Sequence, residues 1–330
     1  HPLSSAASDL YKRQVIPNRQ IITYAGGLGV PFDYGSLTPS QQSLLGAIDE
    51  GTGRRMVNYL RGSATYERRN GGSFRNRKAS LGDFVHSAPT LVTGVGDFGD
   101  ENLIFVGGND GMLHVFDADN GEEVFAYVPN LVFKNLADLV DPYYTHKFFV
   151  DNTVFGAKVN DRTLVVGTLG KGGKGVYCLD VTAGATGLAF DAETDANNVV
   201  KWEYPGPAVG DNDVSPDADM GYGFSRAYLV NSNHNGSDPV VIFGNGYQST
   251  NGRAVLYILD VDGGLVRKID TGVGDPLHLN TSGVGDANNY NCNGLSTPAL
   301  VDTNLDGTVD YAYAGDLLGN LWKFDLTDSD

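Results

Sequence analysis

The part of the chain whose residue types and spacing best suit chemistry is residues 302–310, Asp-Thr-Asn-Leu-Asp-Gly-Thr-Val-Asp. Calcium is bound by roughly six to eight oxygen atoms, which a tight loop must supply. The oxygen donors available here are Asp302, Asn304, Asp306, the backbone carbonyl of Thr308, and Asp310. Alternate residues of an extended loop point the same way, and Gly307 permits a sharp turn. The spacing therefore predicts a calcium (Ca2+) site. The alternative is a metal-free turn, because turns favour Asp, Asn and Gly.

The residues on either side of this loop place it in β structure. Its beginning is similar to an EF-hand loop, but position 12 is Tyr313 rather than Glu, and no helical pattern flanks it. Apolar runs typical of strands do flank it, at 296–301 and 311–316. We therefore predict a calcium loop built into a β-hairpin.

A repeated pattern of strands extends from this loop back through most of the chain. Each of four segments contains an apolar strand, a glycine turn, a second apolar strand and a final Asp: 103–117, 164–180, 241–260 and 311–325. Each follows another candidate strand: 87–92, 148–157, 223–230 and 296–301. The first three precede a further strand: 123–129, 199–205 and 265–270. Four antiparallel strands form the unit of a β-propeller blade, so we predict an all-β fold, a partial, modified β-propeller of about four blades with short helical inserts.

The two ends of the repeat differ from its middle. The last repeat lacks a fourth strand, so we favour a piece of a larger propeller; the alternative is that residues 20–25 complete a blade and close the ring. We assign residues 81–330 to the blades with the C-terminal calcium loop. We assign residues 1–80 to an N-terminal segment with short helices packed on the propeller. There, Thr38 and Gln41 predict a capping box for a helix through about Ile48, and a second helix is expected near 54–60.

Inserts lengthen the repeats at roughly 130–147, 183–197, 206–220 and 271–294, because a minimal blade needs only about 40–50 residues. In the first insert, Asn130 is predicted to cap a helix over 131–140. The acidic residues of the third insert are expected to lie in a solvated loop: Asp211, Asp213, Asp217 and Asp219. The loop 231–238 repeats the calcium-loop spacing with asparagines and is interpreted as a decayed site, and 97–102 as a plain turn.

Charge and composition restrict the partners. The net charge of −17 opposes binding to nucleic acid or to an anionic membrane and suits a divalent cation. No apolar run reaches the roughly 18 residues of a membrane span. Eight of the 23 basic residues fall within 54–78, and we expect them to pair with the chain's own carboxylates rather than to bind an acidic partner. Pairing of Cys178 with Cys292 is left open. We expect that any signal peptide has been removed before the opening His-Pro-Leu-Ser-Ser.

Three stretches together resemble the C-terminal propeller domain of the type IV pilus tip-associated adhesins, the PilC/PilY family. They are Val-Asn-Tyr-Leu-Arg-Gly at 57–62, the run 74–89, and the closing 302–325. The last is the most specific, because it combines the calcium loop, a hairpin and Trp322. The family's N-terminal adhesive region is absent from this chain, and no Arg-Gly-Asp motif occurs, since Ser63 follows Arg61-Gly62.

The resemblance implies a non-enzymatic protein outside the cell, at the pilus tip or cell surface. Its implied roles are pilus assembly, control of retraction, twitching motility and surface attachment. The implied partners are pilin or minor pilin subunits, and host or abiotic surfaces. The implied calcium ligands are the five named above: Asp302, Asn304, Asp306, Thr308 and Asp310.

Two other functions compete with this interpretation. The run 107–118 resembles a repeat of pyrroloquinoline-quinone dehydrogenases, which also bind calcium. Against that enzyme, the chain has only Trp202 and Trp322, and Cys178 and Cys292 are not adjacent. A generic extracellular propeller scaffold is the third possibility. The histidines form no spacing typical of a zinc site or a nucleophile–base pair, so structural roles are expected for His86, His114 and His146.

Overall fold

The structure, a computed structural model, describes residues 19–95, 101–182, 190–206, 215–233, 238–276 and 291–328. These residues form four consecutive sheets of mainly antiparallel strands, the blades of a β-propeller whose ring is not closed. Elements are numbered in chain order. The first sheet, in the order β2-β1-β6-β5-β4-β3, contains β1 (Ile21–Ala25), β2 (Leu28–Pro31), β3 (Thr90–Val95), β4 (Glu101–Gly107), β5 (Leu113–Asp117) and β6 (Glu123–Val128).

The second sheet contains β7 (Phe155–Val159), β8 (Arg162–Thr168), β9 (Val176–Asp180) and β10 (Val200–Tyr204). The third contains β11 (Tyr228–Ser232), β12 (Pro239–Gly244), β13 (Val255–Asp260) and β14 (Leu265–Asp270), extended by β16 (Thr308–Val309). The fourth contains β15 (Ala299–Val301), β17 (Tyr311–Gly315) and β18 (Leu321–Asp325). The fourth sheet thus lacks an outer strand among the described residues, as the sequence predicts.

The apolar cores lie between neighbouring blades. One cluster joins the first sheet to one face of the second, another joins the second and third sheets, and a further one joins the third and fourth. The middle strands β12 and β13 are buried along almost their whole length because both of their faces pack against apolar side chains. This explains why they read as continuous apolar runs rather than as an alternating pattern.

Buried asparagines connect one blade to the next. The Asn245 side-chain oxygen accepts N–H groups from Val255 in its own blade (3.1 Å) and from Leu295 at the start of the fourth blade (2.9 Å). The Asn109 oxygen likewise accepts the N–H of Phe149 at 3.0 Å. Buried backbone donors need such partners, so these amides fix the spacing of adjacent blades.

The N-terminal strand does not close the ring. Ile21–Ala25 is a strand, but β1 pairs in parallel with β6 at the outer edge of the first blade. The alternative in which residues 20–25 complete a blade and close the ring is therefore wrong, because this strand extends the first blade. Strand β2 is covered by a helix that the sequence pattern did not predict, α4 (Ala192–Val199), and a Cβ on Gly29 would lie 2.0 Å from the Ala196 carbonyl oxygen.

The predicted helices form, with changed ends. The capping box of α1 (Pro39–Leu44) is confirmed, and the helix ends before Ile48. Helix α2 (Glu50–Leu60) begins earlier than expected because Asp49 caps it by accepting the N–H of Thr52 at 2.7 Å. The segment after Asn130 is broken into a 3-10 turn (Asn130–Val132), α3 (Phe133–Leu136) and a second 3-10 turn (Ala137–Val140).

Two local predictions need correction. Asn130 does not cap the helical segment; its side-chain oxygen instead accepts a hydrogen bond from the Gln41 amide at 2.9 Å. Asp217 is not part of a solvated loop. It accepts hydrogen bonds from the hydroxyls of Tyr204 (2.8 Å) and Tyr257 (3.0 Å) and from the Lys268 ammonium (2.5 Å). Asp217 therefore lies at the junction of the second and third blades. Asp219 joins the same ammonium at 3.0 Å, whereas Asp211 and Asp213 lie outside the described residues.

Part of the basic cluster pairs with the chain's own carboxylates, as expected. Arg77 donates to Glu67 at 3.0 Å and lies over the Tyr59 ring at 3.7 Å, and Arg54 pairs with Glu50 at 2.7 Å. Arg69 also pairs with Glu67, and Arg75 lies over the Tyr144 ring at 4.0 Å. Most of these contacts lie within the N-terminal segment, and the contact of Arg75 with Tyr144 joins that segment to the insert after β6. Cys178 and Cys292 are both free thiols, and within the described ranges no helix is long and apolar enough to span a membrane.

Candidate metal site

The candidate calcium loop connects β15 to β17, which pair antiparallel through Ala299–Tyr313, Leu300–Ala312 and Val301–Tyr311. The predicted hairpin around the loop is therefore confirmed. The second half of the loop leaves this hairpin: β16 pairs in parallel with β11 of the preceding blade, with Asn231 opposite Thr308 and Ser232 opposite Val309. The loop consequently lies at the junction of the third and fourth blades.

The first half of the loop wraps around the carboxylate of Asp302. One of its oxygens accepts the N–H of Leu305 at 2.7 Å, and the other accepts the N–H of Gly307 at 2.8 Å. Both donors have a positive φ, +62° at Leu305 and +88° at Gly307. No heavy atom lies within 4 Å of a Cβ built on Gly307, so glycine is required there by the backbone angle and not by space.

The next two predicted ligands repeat this local arrangement. The Asn304 oxygen accepts the N–H of Asp306 at 3.0 Å, and an Asp306 oxygen accepts the N–H of Thr308 at 2.8 Å. The Asn304 amide also donates to the other Asp306 oxygen at 3.0 Å. Both side chains are exposed to solvent, so a cation could reach them without displacing apolar packing.

The last predicted ligand, Asp310, is held by hydrogen bonds from Thr303 near the start of the loop. Its side chain accepts the N–H of Thr303 at 2.7 Å and a short hydrogen bond from the Thr303 hydroxyl. These hydrogen bonds lower the pKa of Asp310 from its usual value, so the carboxylate is favoured over the acid. The Asp310 carbonyl accepts the N–H of Leu326, which ties the loop to the end of β18.

The donor chemistry fits calcium. The five predicted ligands are all oxygen donors and include three carboxylates, and each carboxylate oxygen that accepts one N–H keeps a further lone pair. In the described part of the chain, however, no three His, Cys, Asp or Glu side chains are grouped closely enough to hold a metal ion. The loop carboxylates are instead occupied by N–H and hydroxyl donors. The structure thus brings the predicted residues into one loop but not into a formed coordination cage.

Sequence reasoning missed an acidic residue at the other end of β17 from the loop. Asp316, in the turn after β17, accepts hydrogen bonds from the side chains of Asn293 (2.8 Å), Asn320 (2.9 Å) and Trp322 (2.8 Å). Partial burial alone would raise its pKa, but these donors lower the pKa of Asp316 to about 2. Its oxygens are therefore used to hold the turn. The Asp-x-x-x-Asn spacing of the turn was the available signal.

The three histidines have carboxylate partners. His86 pairs with Asp151 at 2.5 Å, and His146 pairs with Asp83 at 2.8 Å. The buried ring of His114 lies between Asp110 (3.1 Å) and Glu123 (2.7 Å). The pairs of His86 and His146 join separate segments of the chain, whereas His114 is held by residues of its own blade. These contacts agree with the structural roles expected for His86, His114 and His146.

Comparison with known proteins identifies the family. The family model described as the PilY1 beta-propeller domain matches residues 98–330. The chain belongs to the PilY1 family. It is 38% identical over 336 aligned positions to a type IV pilus biogenesis factor PilY1 homolog of Xylella fastidiosa, an alignment covering 92% of this chain and 20% of that protein. It is 37% identical to type IV pilus biogenesis factor PilY1 of Pseudomonas aeruginosa, with 83% of this chain and 23% of that protein covered.

A solved structure is also similar to this chain. The crystal structure of the Pseudomonas aeruginosa PilY1 C-terminal domain matches 68% of this chain and 38% of that one, at 37% identity and a TM-score of 0.47. The chain spans about a fifth to a quarter of the length of the curated relatives it matches. The family match supports the predicted β-propeller, and these relatives are named as pilus biogenesis factors rather than as enzymes.

Proposed function

We propose that this chain is a calcium-binding, non-enzymatic part of a type IV pilus biogenesis factor. The observation that carries the proposal is the loop 302–310, whose five regularly spaced oxygen donors lie in one turn of a chain from the PilY1 family. Membership supports a role in the pilus system, because two relatives bear the name of pilus biogenesis factors. No observation on the described residues favours the quinone-dependent enzyme over this assignment.

Calcium would be held by Asp302, Asn304, Asp306, the Thr308 carbonyl and Asp310. The ion would supply positive charge to a loop that carries three carboxylates within nine residues. Like charges at such spacing repel, so an ion that neutralises them favours the compact loop. The residues themselves supply oxygen donors and hold the turn through the N–H groups that Asp302 accepts.

The proposed biological setting is the outside of the cell, at the pilus tip or surface. There the domain would contact pilin or minor pilin subunits and support assembly, retraction control, twitching motility and attachment to surfaces. Gain and loss of calcium would change the order of the loop, and thereby the affinity of the neighbouring surface for its partner.

Calorimetric titration of calcium into chelator-treated protein tests the ligand assignment. Asp306→Ala is the test variant, and Asp119→Ala is its matched control, because Asp119 is an exposed residue of the turn after β5 in the first blade. We expect one site in the unchanged chain and in Asp119→Ala, and no detectable site in Asp306→Ala. Unchanged calcium affinity in Asp306→Ala would remove Asp306 from the ligand set.

The same substitution tests the biological role in a piliated bacterium that carries the full-length protein. Asp306→Ala should impair twitching and surface piliation while the protein level stays normal. Normal twitching in that strain, combined with lost calcium binding in vitro, would separate the metal site from pilus function.

A further inference from the structure

The candidate calcium loop is built partly on the neighbouring blade. The parallel pairing of β16 with β11 sets Thr308 beside Asn231 and Val309 beside Ser232. Val309 and Ser232 are 6% and 0% exposed, so this pairing is buried. Thr308 is also the residue whose carbonyl is assigned to calcium. The backbone that would present this ligand is therefore positioned by the third blade.

Two asparagine side chains of the third blade reinforce this contact. The amide of Asn231 donates to the Gly307 carbonyl at 3.4 Å, next to Thr308. The amide of Asn233 donates to the carbonyls of Thr327 at 3.2 Å and Leu326 at 3.5 Å. All three acceptors are carbonyl oxygens, so the side chains that make these bonds must donate, as the amide N–H groups of asparagine do.

The second of these contacts reaches the other end of the loop. The N–H of Leu326 donates to the carbonyl of Asp310 at 2.8 Å, so Asn233 holds the segment that fixes the Asp310 backbone. Asn231 acts near Gly307, and Asn233 acts near Asp310. Together they brace the second half of the loop, where the Thr308 carbonyl and the Asp310 carboxylate are presented.

We propose that Asn231 and Asn233 are positioning residues for calcium, which brace the 302–310 loop across the junction of the third and fourth blades. This inference rests on the proposed calcium site. The sequence pattern alone favours a different role for them, as remnants of a second calcium loop at 231–238, of which residues 234–237 lie outside the described residues. The direction of their hydrogen bonds supports bracing, because their amides act as donors.

Bracing has a thermodynamic consequence. If the blade junction favours the calcium-binding form of the loop, calcium must favour the formed junction by the same factor. Hydrogen–deuterium exchange measures this directly. We expect calcium to slow exchange in peptides that cover 302–310 and also in those that cover 228–233, which contain no assigned ligand. In Asp306→Ala, calcium should change neither region.

Calcium affinity gives the second measurement. In the double variant Asn231→Ala/Asn233→Ala we expect calcium affinity to fall about fivefold or more, within the usual range of coupling between sites. Asn120→Ala is the matched control, because Asn120 is an exposed asparagine whose amide donates to Asp117 in the first blade. Its calcium affinity should equal that of the unchanged chain.

The Asn231→Asp/Asn233→Asp variant distinguishes bracing from direct ligation. Carboxylates cannot donate to the carbonyls of Gly307 or Thr327, so under bracing this variant should fail to restore the affinity lost in the alanine variant. Tighter binding or a second calcium equivalent would identify the asparagines as ligands and overturn the inference. The inference would also be wrong if calcium slowed hydrogen exchange only in 302–310 and the alanine variant kept the calcium affinity of the unchanged chain. Absence of calcium binding by the unchanged chain would instead refute the proposed function.

Discussion

A buried charge network in the first blade yields the sharpest stability prediction. The carboxylate of Glu123 accepts two hydrogen bonds from the Arg19 guanidinium, both at 2.7 Å, and one from His114 at 2.7 Å. The side chains of Arg19 and Glu123 are 3% and 1% exposed, and that of His114 is fully buried. Because Arg19 precedes β1 and Glu123 begins β6, the network attaches the N-terminal segment to the outer edge of the blade.

Glu123→Gln removes the negative charge and keeps the shape of the side chain. Burial alone would raise the pKa of Glu123, but Arg19 and His114 lower it from 4.5 to about 2, which corresponds to about 3 kcal/mol of stabilisation of the folded, ionised form. Removing one partner of a buried ion pair typically costs about 3–5 kcal/mol. We therefore expect Glu123→Gln to reduce the free energy of unfolding by about 3 kcal/mol at pH 6.

The pH dependence follows from the directions of the two pKa changes. Glu123 has a lowered pKa in the folded state, so its contribution is present above pH 4.5 and is lost as the pH falls through about 2. Burial alone would lower the pKa of His114, but Asp110 and Glu123 raise it from 6.5 to about 9. Its contribution is therefore present below pH 6.5 and is lost as the pH rises through about 9. The network stabilises most between pH 4.5 and 6.5.

Urea denaturation at a series of pH values measures both effects. Glu50→Gln is the matched control, because its ion pair with Arg54 is exposed and worth less than about 1 kcal/mol. In Glu123→Gln the loss of stability at alkaline pH should also shrink, since His114 loses Glu123, one of the two carboxylates that raise its pKa. If Glu123→Gln lost no more unfolding free energy than Glu50→Gln, or if the pH dependence of its stability were unchanged, the network would not hold the blade edge.

Two further predictions concern other junctions. Asp316→Asn should reduce the free energy of unfolding by about 1–2 kcal/mol and alter the fluorescence of Trp322, because an amide cannot accept all the hydrogen bonds that the carboxylate receives. In the unchanged chain this contribution should be lost as the pH falls from 3.8 through about 2, and a variant whose acid unfolding matches the unchanged chain would contradict the role. Gly29→Ala should reduce the free energy of unfolding by about 2 kcal/mol and so lower the melting temperature. The reason is overpacking, since the added Cβ would lie 2.0 Å from the Ala196 carbonyl oxygen. An unchanged melting temperature would show that α4 can move away.

The features that the sequence predicted are those formed by residues close together in the chain. Hairpins such as β12–β13 and β17–β18 follow from apolar runs separated by glycine turns, and the capping box of α1 depends on Thr38 and Gln41 alone. The turn around Asp302 is equally local, because all its donors lie within five residues. Periodicity and turn chemistry are sufficient for such elements.

The features that were missed depend on partners far away in the chain. Helix α4 packs on β2, and the carboxylate of Asp217 is used by tyrosines of two different strands, β10 and β13. No pattern within 192–199 or near Asp217 identifies these partners. A polar residue in a loop is expected to be solvated unless its partner is known. The sequence therefore predicts a solvated position for Asp217, whereas its carboxylate lies at a junction of two blades.

The asparagines at 231 and 233 show how one spacing can support two roles. As ligands, amides attract calcium more weakly than carboxylates, and so the sequence favours a decayed metal loop. As donors, amides can bond to carbonyl oxygens, which carboxylates cannot do. The carbonyls that require such donors, Gly307 and Thr327, belong to the next blade. Under the proposed bracing role, Asn rather than Asp at 231 and 233 follows from the carbonyls of the neighbouring blade, and calcium binding by the last repeat would depend on two blades.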